Sequence, residues 1–389
     1  MFVSRLHLKD FRLFADQLFE FNQQLTVLYG PNAAGKSSVV EALALLSSGK
    51  SFRAGKVEEM IAFQADLARV SLKANSSLAA IKASPAETDL AGLDELSLSI
   101  LLTRGVVNGK RTHRQLYNVN DNRRRKKDFV GQLLTVVFRP EDMRLIEGSP
   151  GRRRDFLNTP LQLTSRNYGH HLSQYEKALR RRNKLLSLIK DGEQSASVLT
   201  YWDLSLIKHG EKIQQHRRDL TEFINAQVES PLPMRITYRP SLISQSALDS
   251  HKRAAIATGF TLIGPHKDDF LILIDANAKE GAADGRATSQ IRSTNFQSLD
   301  AFGSRGQKRL GVLWLKKAEL MYLKQQTQQQ PVLLLDDILS ELDKENRQRV
   351  LELIKEEQTI ITTAYPALIK EVRAKFTKVD VQDLTALIA

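Results

Sequence analysis

Residues 25–38 read LTVLYGPNAAGKSS, and this stretch decides the fold of the chain. Residues 25–29 are apolar and are followed by glycine, which is typical of a buried parallel strand. Residues 30–37 fit the phosphate-loop pattern G-x-x-x-x-G-K-[ST], and apolar residues recur at helical spacing from Val39 onwards. The order strand, loop, helix predicts the opening of an α/β nucleotide-binding core.

The spacing inside this loop follows from the chemistry of phosphate. Backbone N–H groups surround the phosphates, and the helix that follows directs its positive end at the same anion. We expect Lys36 to neutralise phosphate oxygens and the Ser37 hydroxyl to bind Mg²⁺. The candidate nucleotide-binding residues are Gly30, Pro31, Asn32, Ala33, Ala34, Gly35, Lys36, Ser37 and Ser38.

A second apolar strand ends in two carboxylates, since residues 331–337 read PVLLLDD. In this position Asp336 is suited to hold Mg²⁺ together with Ser37, and Asp337 to orient or deprotonate the attacking water. Paired aspartates can also simply cap the next helix. The phosphate loop upstream favours the first interpretation, with Lys36, Asp336 and Asp337 as catalytic residues and ATP with Mg²⁺ as the bound group.

A third motif precedes a long amphipathic helix predicted over residues 306–324. Ser304, Arg305, Gly306 and Gln307 read SRGQ, which alone is only a helix start capped by Ser304. Combined with the other two motifs, it resembles the signature of ABC-type ATPases, a helix end that binds the phosphate of a partner subunit's ATP.

Residues 340–343, SELD, resemble the D-loop of the same superfamily through Ser340 and Asp343. Ser340 is equally suited to cap the helix that follows, and both roles are compatible. The set of ABC-type motifs implies two ATP molecules sandwiched between the subunits of a head-to-tail homodimer.

The chain is predicted to be α/β, with an ABC-type ATPase lobe whose mixed sheet carries the phosphate loop. Residues 1–121 and 232–389 are assigned to this split lobe, and residues 122–231 to an inserted, mostly helical lobe. Strand-like segments return at residues 234–238 and 270–274. Residues 277–293 are rich in Ala, Gly and Ser, which predicts a mobile loop.

The net charge of +13 and the isoelectric point near 9.7 favour polyanionic partners, nucleic acid before anionic membrane. Basic clusters in the predicted helical lobe are candidates for binding the DNA backbone, although each alone could be a solvated face. No aromatic residues alternate with them, so we expect phosphate contacts rather than base reading. Arg182 lies in an apolar stripe, where an arginine either pairs with a buried carboxylate or anchors a binding contact, and we favour the pairing. The DNA-binding candidates are Arg123, Arg124, Arg125, Lys126, Lys127, Arg152, Arg153, Arg180 and Arg181.

Several classes of protein are excluded by composition. The chain has no cysteine, so neither disulfides nor thiolate metal sites stabilise it, in keeping with a reducing cytoplasm. No apolar run approaches the ~18 residues that cross a bilayer, and the first residues lack the order of a signal peptide. We expect a soluble, cytoplasmic protein without a membrane partner.

Three further stretches resemble the RecF family, and the resemblance extends over most of the chain. They are FRPED at 138–142 followed by GSP at 148–150 and by Arg153 and Arg154, residues 175–179 with Arg182 and Asn183, and GPHKDD at 264–269. The resemblance implies a recombinational repair factor that binds DNA as an ATP-dependent dimer near gaps and single-strand/double-strand junctions. It also implies that the protein acts with RecO and RecR to load recombinase, with slow DNA-dependent ATP hydrolysis on dimerisation.

Two positions of the phosphate loop depart from the family pattern, which usually has glycine at position 33 and threonine at position 37. Ser37 supports the same Mg²⁺ chemistry as threonine. Ala33 reaches positive φ angles less easily than glycine, which bears on nucleotide affinity.

Other ABC-type proteins fit the sequence less well. A transporter-coupling ATPase would have no use for the basic insertion, and an SMC-type protein needs a long heptad coiled coil that the insertion lacks. An ABC-fused nuclease would need a carboxylate-rich metal domain after residue 337. Two alternatives stay open: an ABC-type ATPase that binds DNA without loading recombinase, and a homologue that holds ATP but hardly hydrolyses it.

Overall fold

The computed structural model describes residues 1–75, 95–107, 109–276 and 295–385. They form two compact units, one of Met1–Glu141 with Leu323–Ala389 and one of Asp142–Tyr322. The predicted loop at residues 277–293 lies outside the described residues. No helix in the described ranges is both long enough and apolar enough to span a bilayer.

The strands and helices are numbered in chain order. The strands are β1 (Phe2–Phe11), β2 (Phe14–Glu20), β3 (Leu25–Tyr29), β4 (Leu67–Asn75), β5 (Glu95–Thr103), β6 (Val106–Val107), β7 (Lys110–Arg111), β8 (Gln115–Val119), β9 (Asn122–Arg124), β10 (Thr135–Phe138), β11 (Met234–Arg239), β12 (Asp269–Asp275), β13 (Phe296–Ser298), β14 (Val332–Asp336), β15 (Thr359–Thr363) and β16 (Val379–Asp383). The α-helices are α1 (Lys36–Ser48), α2 (Lys126–Phe129), α3 (Arg144–Glu147), α4 (Pro150–Thr164), α5 (Arg166–Lys190), α6 (Thr200–Gln227), α7 (Gln245–Ser250), α8 (Lys252–Thr258), α9 (Leu299–Phe302), α10 (Arg305–Thr327), α11 (Ile338–Glu341), α12 (Lys344–Leu353) and α13 (Pro366–Lys375). Short 3-10 helices span Val57–Met60, Pro140–Met143, Ala196–Leu199 and Pro265–Lys267.

The first unit contains a parallel sheet and an antiparallel sheet. The parallel sheet has the order β10-β14-β15-β3-β16, and β14 and β15 are buried along their whole length, as parallel strands covered on both faces require. The antiparallel sheet has the order β2-β1-β4-β5-β8-β9. In β1 the residues alternate: Leu6 and Leu8 are buried, whereas Arg5 and Lys9 are exposed.

Helix α1 packs against strands of both sheets, β10, β14 and β15 of the parallel one and β4 and β5 of the antiparallel one. Its apolar residues are therefore buried all round, and they join both sheets into one core. The phosphate loop lies between β3 and α1, so the α/β core predicted from residues 25–38 is confirmed.

The second unit is built on the pair of long helices α5 and α6, with α4 packed against both. A smaller antiparallel sheet, β11-β12-β13, packs against α6 through β11. On α5, Tyr168, Leu172 and Tyr175 are buried at helical spacing. Arg182 follows them and donates from Nε to Asp203 Oδ1 at 2.6 Å, so its predicted pairing with a buried carboxylate is confirmed.

The two units differ from the predicted lobes at both boundaries. The first unit continues past residue 121 because β9 pairs with β8, and β10 pairs with β14 of the parallel sheet. Residues 232–322, predicted to belong to the ATPase lobe, lie in the second unit, where β11 and β12 pair with each other.

Candidate nucleotide-binding site

The phosphate loop contains two residues in the left-handed region of backbone conformation. Gly35 has a φ of 86°, and a Cβ at this position would lie 2.5 Å from Cζ of Phe14. Only glycine fits there. Ala33 has a φ of 69°, so the loop follows the same left-handed path with alanine at a cost of about 1 kcal/mol. Alanine at position 33, where the family usually has glycine, therefore raises the backbone strain of the loop.

The loop presents backbone donors at the start of α1. The N–H groups of Ala33, Gly35 and Lys36 donate no hydrogen bond to another described residue. The positive end of the α1 dipole lies at the same place. Free N–H groups at a helix N-terminus form a general anion-binding arrangement, and residues 30–37 fit the sequence pattern of loops that bind phosphates in this way.

Lys36 is held by neutral partners. Its Nζ donates to the carbonyl oxygens of Gly30 at 2.7 Å and Pro31 at 2.8 Å. Burial lowers the pKa of Lys36, while the nearby Asp337 and Asp336 carboxylates act in the opposite direction. The side chain is thus a positive charge, mostly withdrawn from water, beside the N–H groups that would bind phosphate.

Ser37 and Asp336, the two predicted magnesium ligands, are in hydrogen-bond contact. Ser37 Oγ donates to Asp336 Oδ1 at 2.8 Å, and Thr362 Oγ1 donates to the same oxygen at 2.8 Å. Burial raises the pKa of Asp336, and these two hydrogen bonds oppose the change. A hydroxyl and a carboxylate are the hard oxygen ligands that Mg²⁺ prefers, so the residues fit the ion.

Asp337 follows in a left-handed conformation with a φ of 53°. Its N–H donates to Thr362 Oγ1 at 3.0 Å, and Ser340 Oγ donates to its carboxylate at 3.1 Å. It occupies the N-cap position of α11, yet its side chain makes no capping hydrogen bond. The structure therefore does not support capping as the reason for this carboxylate. A non-glycine residue in this region is uncommon and concentrates at functional sites.

Two charged residues outside the nucleotide-binding motifs act on Asp336, and a third pairs with a carboxylate of α1. Arg53 and Glu141 both act on the pKa of Asp336, Arg53 lowering it and Glu141 raising it. Arg12, in the turn after β1, forms a two-pronged ion pair with Glu41 of α1 at 2.7 and 2.9 Å. Glu141 lies in the family-specific FRPED stretch, but neither Arg12 nor Arg53 has a local pattern that could have revealed it.

The D-loop candidates have separate local roles. Ser340 Oγ donates to the carbonyl oxygen of Asp337 at 2.7 Å in addition to its carboxylate contact. Asp343 caps α12, because its Oδ1 accepts from the N–H of Asn346 at 2.9 Å. Capping thus belongs to Asp343, whereas the Ser340 hydroxyl faces the second catalytic candidate.

The signature candidates begin α10 in the second unit. Ser304 Oγ accepts from the N–H of Gln307 at 3.1 Å, and Gln307 Oε1 accepts from the N–H of Ser304 at 2.9 Å. This reciprocal capping box confirms the predicted helix start. Ser304 and Arg305 are exposed, and Gly306 and Gln307 are half-buried.

The basic clusters are divided between the two units. Arg123 and Arg124 are exposed on β9, a strand of the first unit rather than part of a helical lobe. Arg125 pairs with Asp128 at 3.1 Å, and Lys126 Nζ donates to the carbonyl oxygen of Gly49 at 2.8 Å. Lys127 is exposed.

In the second unit Arg180 and Arg181 are exposed on α5, and Arg152 is half-buried at the start of α4. Arg153 was also predicted to bind DNA, and the structure contradicts this prediction. It is buried, with Nε and Nη2 donating to the two oxygens of Asp269 at 2.6 and 2.9 Å. Because Nε and Nη2 of Arg153 already donate to a carboxylate, this guanidinium cannot offer the same two-point contact to a DNA phosphate.

The chain is similar to known proteins over nearly its full length. The family described as "RecF/RecN/SMC N terminal domain" matches residues 2–385. The DNA replication and repair protein RecF of Thermoanaerobacter sp. (strain X514) is 32% identical over 382 residues, covering 93% of this chain and 94% of the relative. RecF of Herpetosiphon aurantiacus is 33% identical over 383 residues, covering 93% of each.

Solved structures show the same fold. A structure titled as the recombination mediator protein RecF-ATPrS in the RecFOR pathway matches with a TM-score of 0.76 and 27% identity, over 94% of this chain and 93% of the other. A RecF-ATP structure of the same pathway matches with a TM-score of 0.75 and 28% identity, over 94% and 92%. The predicted α/β fold of the ABC ATPase type is thereby confirmed.

Proposed function

Since this chain belongs to the RecF family of DNA replication and repair proteins, we propose that it is an ATP-dependent DNA-binding clamp of recombinational repair. The observation that carries the proposal is the contact between Ser37 and Asp336, which joins the phosphate loop to the carboxylate strand. ATP would bind with its phosphates on the backbone N–H groups at the start of α1 and on Lys36. The ATP and ATPrS complexes of its relatives support this assignment.

Hydrolysis of ATP would depend on the residues gathered at the end of β14. Ser37 and Asp336 would hold Mg²⁺, which supplies positive charge to the phosphate oxygens. Asp337, fixed by Thr362 and Ser340, would orient the attacking water and accept its proton. Lys36 would stabilise the negative charge that develops on the transferred phosphate.

The active form would be a head-to-tail homodimer that contains two ATP molecules. The capped N-terminus of α10 at Ser304 is an exposed helix end, and its basic residue Arg305 adds to the helix dipole. It would contact the phosphate of the ATP bound by the partner subunit, with Ser340 and Asp343 in the same interface. Dimerisation would then depend on ATP, and slow hydrolysis would end it.

DNA would bind through its phosphates, and the net charge of +13 supports this class of partner. Arg153 is excluded as a DNA contact by its ion pair with Asp269. Five exposed candidates form no such ion pair with another described residue, namely Arg123, Arg124, Lys127, Arg180 and Arg181. In the cytoplasm the protein would recognise gapped duplex and single-strand/double-strand junctions and load recombinase with RecO and RecR. The alternative is an ABC-type ATPase that binds DNA without this loading role.

Equilibrium binding to gapped duplex DNA tests the proposal, with ATP, ADP or no nucleotide and over a series of salt concentrations. We expect tight binding only with ATP, and an affinity that falls steeply with salt because counterions are released from the phosphates. Binding that is equal in all three nucleotide states would contradict an ATP-controlled clamp. Loading of recombinase on the same DNA, with and without RecO and RecR, separates the two alternatives.

A further inference from the structure

Phe63 is an aromatic side chain displayed to solvent. It is 97% exposed, whereas the other large apolar side chains that are exposed among the described residues lie between 47% and 70%. A single exposed apolar residue is ordinary on a protein surface and by itself indicates nothing. The backbone that carries this ring, however, is fixed in an unusual way.

Three sets of hydrogen bonds fix the backbone of the turn formed by residues 62–65. The Arg104 side chain donates to the carbonyl oxygens of Ala62, Phe63 and Ala65 at 3.2, 3.3 and 3.0 Å. The turn is closed by the Ala65 N–H on the carbonyl oxygen of Ala62 at 3.0 Å. The Ala62 N–H in turn donates to the backbone carbonyl oxygen of Asp10, near the end of β1, at 2.8 Å. The ring of Phe63 therefore projects from a braced support, which lowers the entropic cost of binding through it.

The surface beside this turn is basic. Arg104 leads directly into the hairpin of β6 and β7, where Lys110 and Arg111 are exposed and make no ion pair with another described residue. On the outer face of the antiparallel sheet, Lys9 lies directly opposite Arg69. Asp16 lies opposite Lys9 on the other neighbouring strand, β2, so it compensates part of this positive charge.

The acidic residues of this region reduce that positive charge only in part. Glu58 is engaged by Arg114 at 2.7 Å, Glu59 is exposed and accepts from the Gly55 N–H at 3.0 Å, and Asp66 is exposed at the end of the turn. Cations thus predominate around an apolar ring. This combination matches single-stranded nucleic acid, in which every base offers a flat face for stacking and every nucleotide a phosphate. In duplex DNA the bases are already stacked on one another.

We propose that Phe63 stacks on an unpaired base of single-stranded DNA, while Lys110 and Arg111 contact the adjoining phosphates. The inference rests on the proposed DNA-binding function and extends it. The first unit would contact the unpaired strand at a gap or junction through stacking, which tolerates any base sequence. Phosphate contacts at the other basic residues would be shared by paired and unpaired DNA.

The test compares Phe63→Ala and Phe63→Trp with the wild-type protein, all with ATP, by fluorescence anisotropy. The probes are a fluorescein-labelled oligothymidine and a blunt duplex of the same length. We expect Phe63→Ala to weaken binding of the oligothymidine about tenfold and Phe63→Trp to retain it, since stacking needs only an aromatic face. Binding of the blunt duplex should be unchanged in both variants.

Two matched variants complete the experiment. Phe260→Ala removes another exposed phenylalanine, 62% exposed and in the second unit, and should change neither affinity. The double variant Lys110→Gln/Arg111→Gln should reduce the slope of log affinity against log salt on oligothymidine by about 1.4. Wild-type affinity of Phe63→Ala for oligothymidine, or an equal loss on the duplex, would overturn the inference. If the wild-type protein bound neither probe nor gapped DNA, the proposed function itself would be wrong.

Discussion

Two groups of buried charged side chains, the candidate nucleotide site of the first unit and a polar centre of the second unit, have different partners. In the first unit Lys36 is held by the carbonyl oxygens of Gly30 and Pro31, and Asp336 by the hydroxyls of Ser37 and Thr362. In the second unit Asp268 is fully buried and takes Arg217 Nη1 at 2.7 Å, Gln214 Nε2 at 2.9 Å and the Ser241 N–H at 2.8 Å, together with the Tyr238 hydroxyl.

This difference separates a binding site from a structural centre. A charge whose hydrogen bonds go only to neutral groups keeps more of its field, and a ligand of opposite charge can still gain from it. A charge neutralised by a buried opposite charge and saturated with hydrogen bonds has little left to offer. A buried charge alone therefore does not identify a functional site. The distinguishing feature is whether its hydrogen-bond partners are neutral or oppositely charged.

The largest effect is expected at the structural centre. Asp268→Ala would leave Arg217, only 2% of whose side chain is exposed, without its carboxylate. We expect the free energy of unfolding to fall by about 3–5 kcal/mol, measured by urea denaturation and circular dichroism. Glu95→Ala breaks an exposed ion pair with Lys73 and is the control, which should show no measurable change. A loss at Asp268 as small as that of the control would mean that the centre does not stabilise the second unit.

The same contrast explains how far the sequence could predict this molecule. The nucleotide site could be predicted from residues 25–38 and 331–337, because the binding of phosphate and Mg²⁺ requires particular residue types at fixed local spacing. The partner of Arg153 is different, since Asp269 lies 116 residues away and no local pattern encodes that contact. The basic neighbours of Arg153 suggested DNA binding, whereas the fold buries it in an ion pair.

The residue limits of the two compact units differ from those predicted for the two lobes for a similar reason. Strands β11 and β12 have the apolar pattern of core strands, but only their pairing with each other shows that they form a separate sheet. The approach of Arg53 to Asp336 likewise depends on the path of the chain after α1, a segment without periodicity. Local chemistry was predictable, and long-range pairing was not.

An intermediate effect is expected at the binding site, and on a different quantity. Lys36→Ala should reduce affinity for ATP about a hundredfold, because charge-assisted contacts to phosphate contribute roughly 3 kcal/mol in total. The free energy of unfolding should stay unchanged or rise slightly, since burial already penalises this charge, as its lowered pKa indicates. Calorimetric titration with ATP and urea denaturation measure the two quantities on the same protein.

Ser304→Arg is the matched variant for Lys36→Ala, because it alters the signature helix of the second unit. It should retain ATP affinity but lose ATP-dependent dimers and turnover, whereas Lys36→Ala loses all three. Sizing by light scattering with and without ATP distinguishes the two variants. Dimers that persist in Lys36→Ala, or normal turnover in Ser304→Arg, would contradict the head-to-tail arrangement.

The smallest effect is expected at His266, which lies within the second unit's polar core. Its Nε2 lies 2.9 Å from the carbonyl oxygen of Thr261, which can only accept, so Nε2 carries a proton. Its Nδ1 lies 2.7 Å from the Tyr175 hydroxyl, and in the neutral ring this nitrogen accepts from that hydroxyl. Burial lowers the pKa of His266, in agreement with the neutral form.

A lowered pKa in the folded protein fixes the sign of the pH dependence. Below the ordinary histidine pKa of about 6.5 the unfolded chain binds a proton that the folded chain does not, so stability falls with falling pH. The contribution of one such group is at most about 1.4 kcal/mol per pH unit and ends once the folded pKa is passed. His266→Gln should therefore flatten the decline of the unfolding free energy below pH ~6.5 relative to wild type, and leave the slope above that pH unchanged. An identical decline in both proteins would show that folding does not lower the pKa of His266, so that the fold accommodates the protonated ring below pH ~6.5.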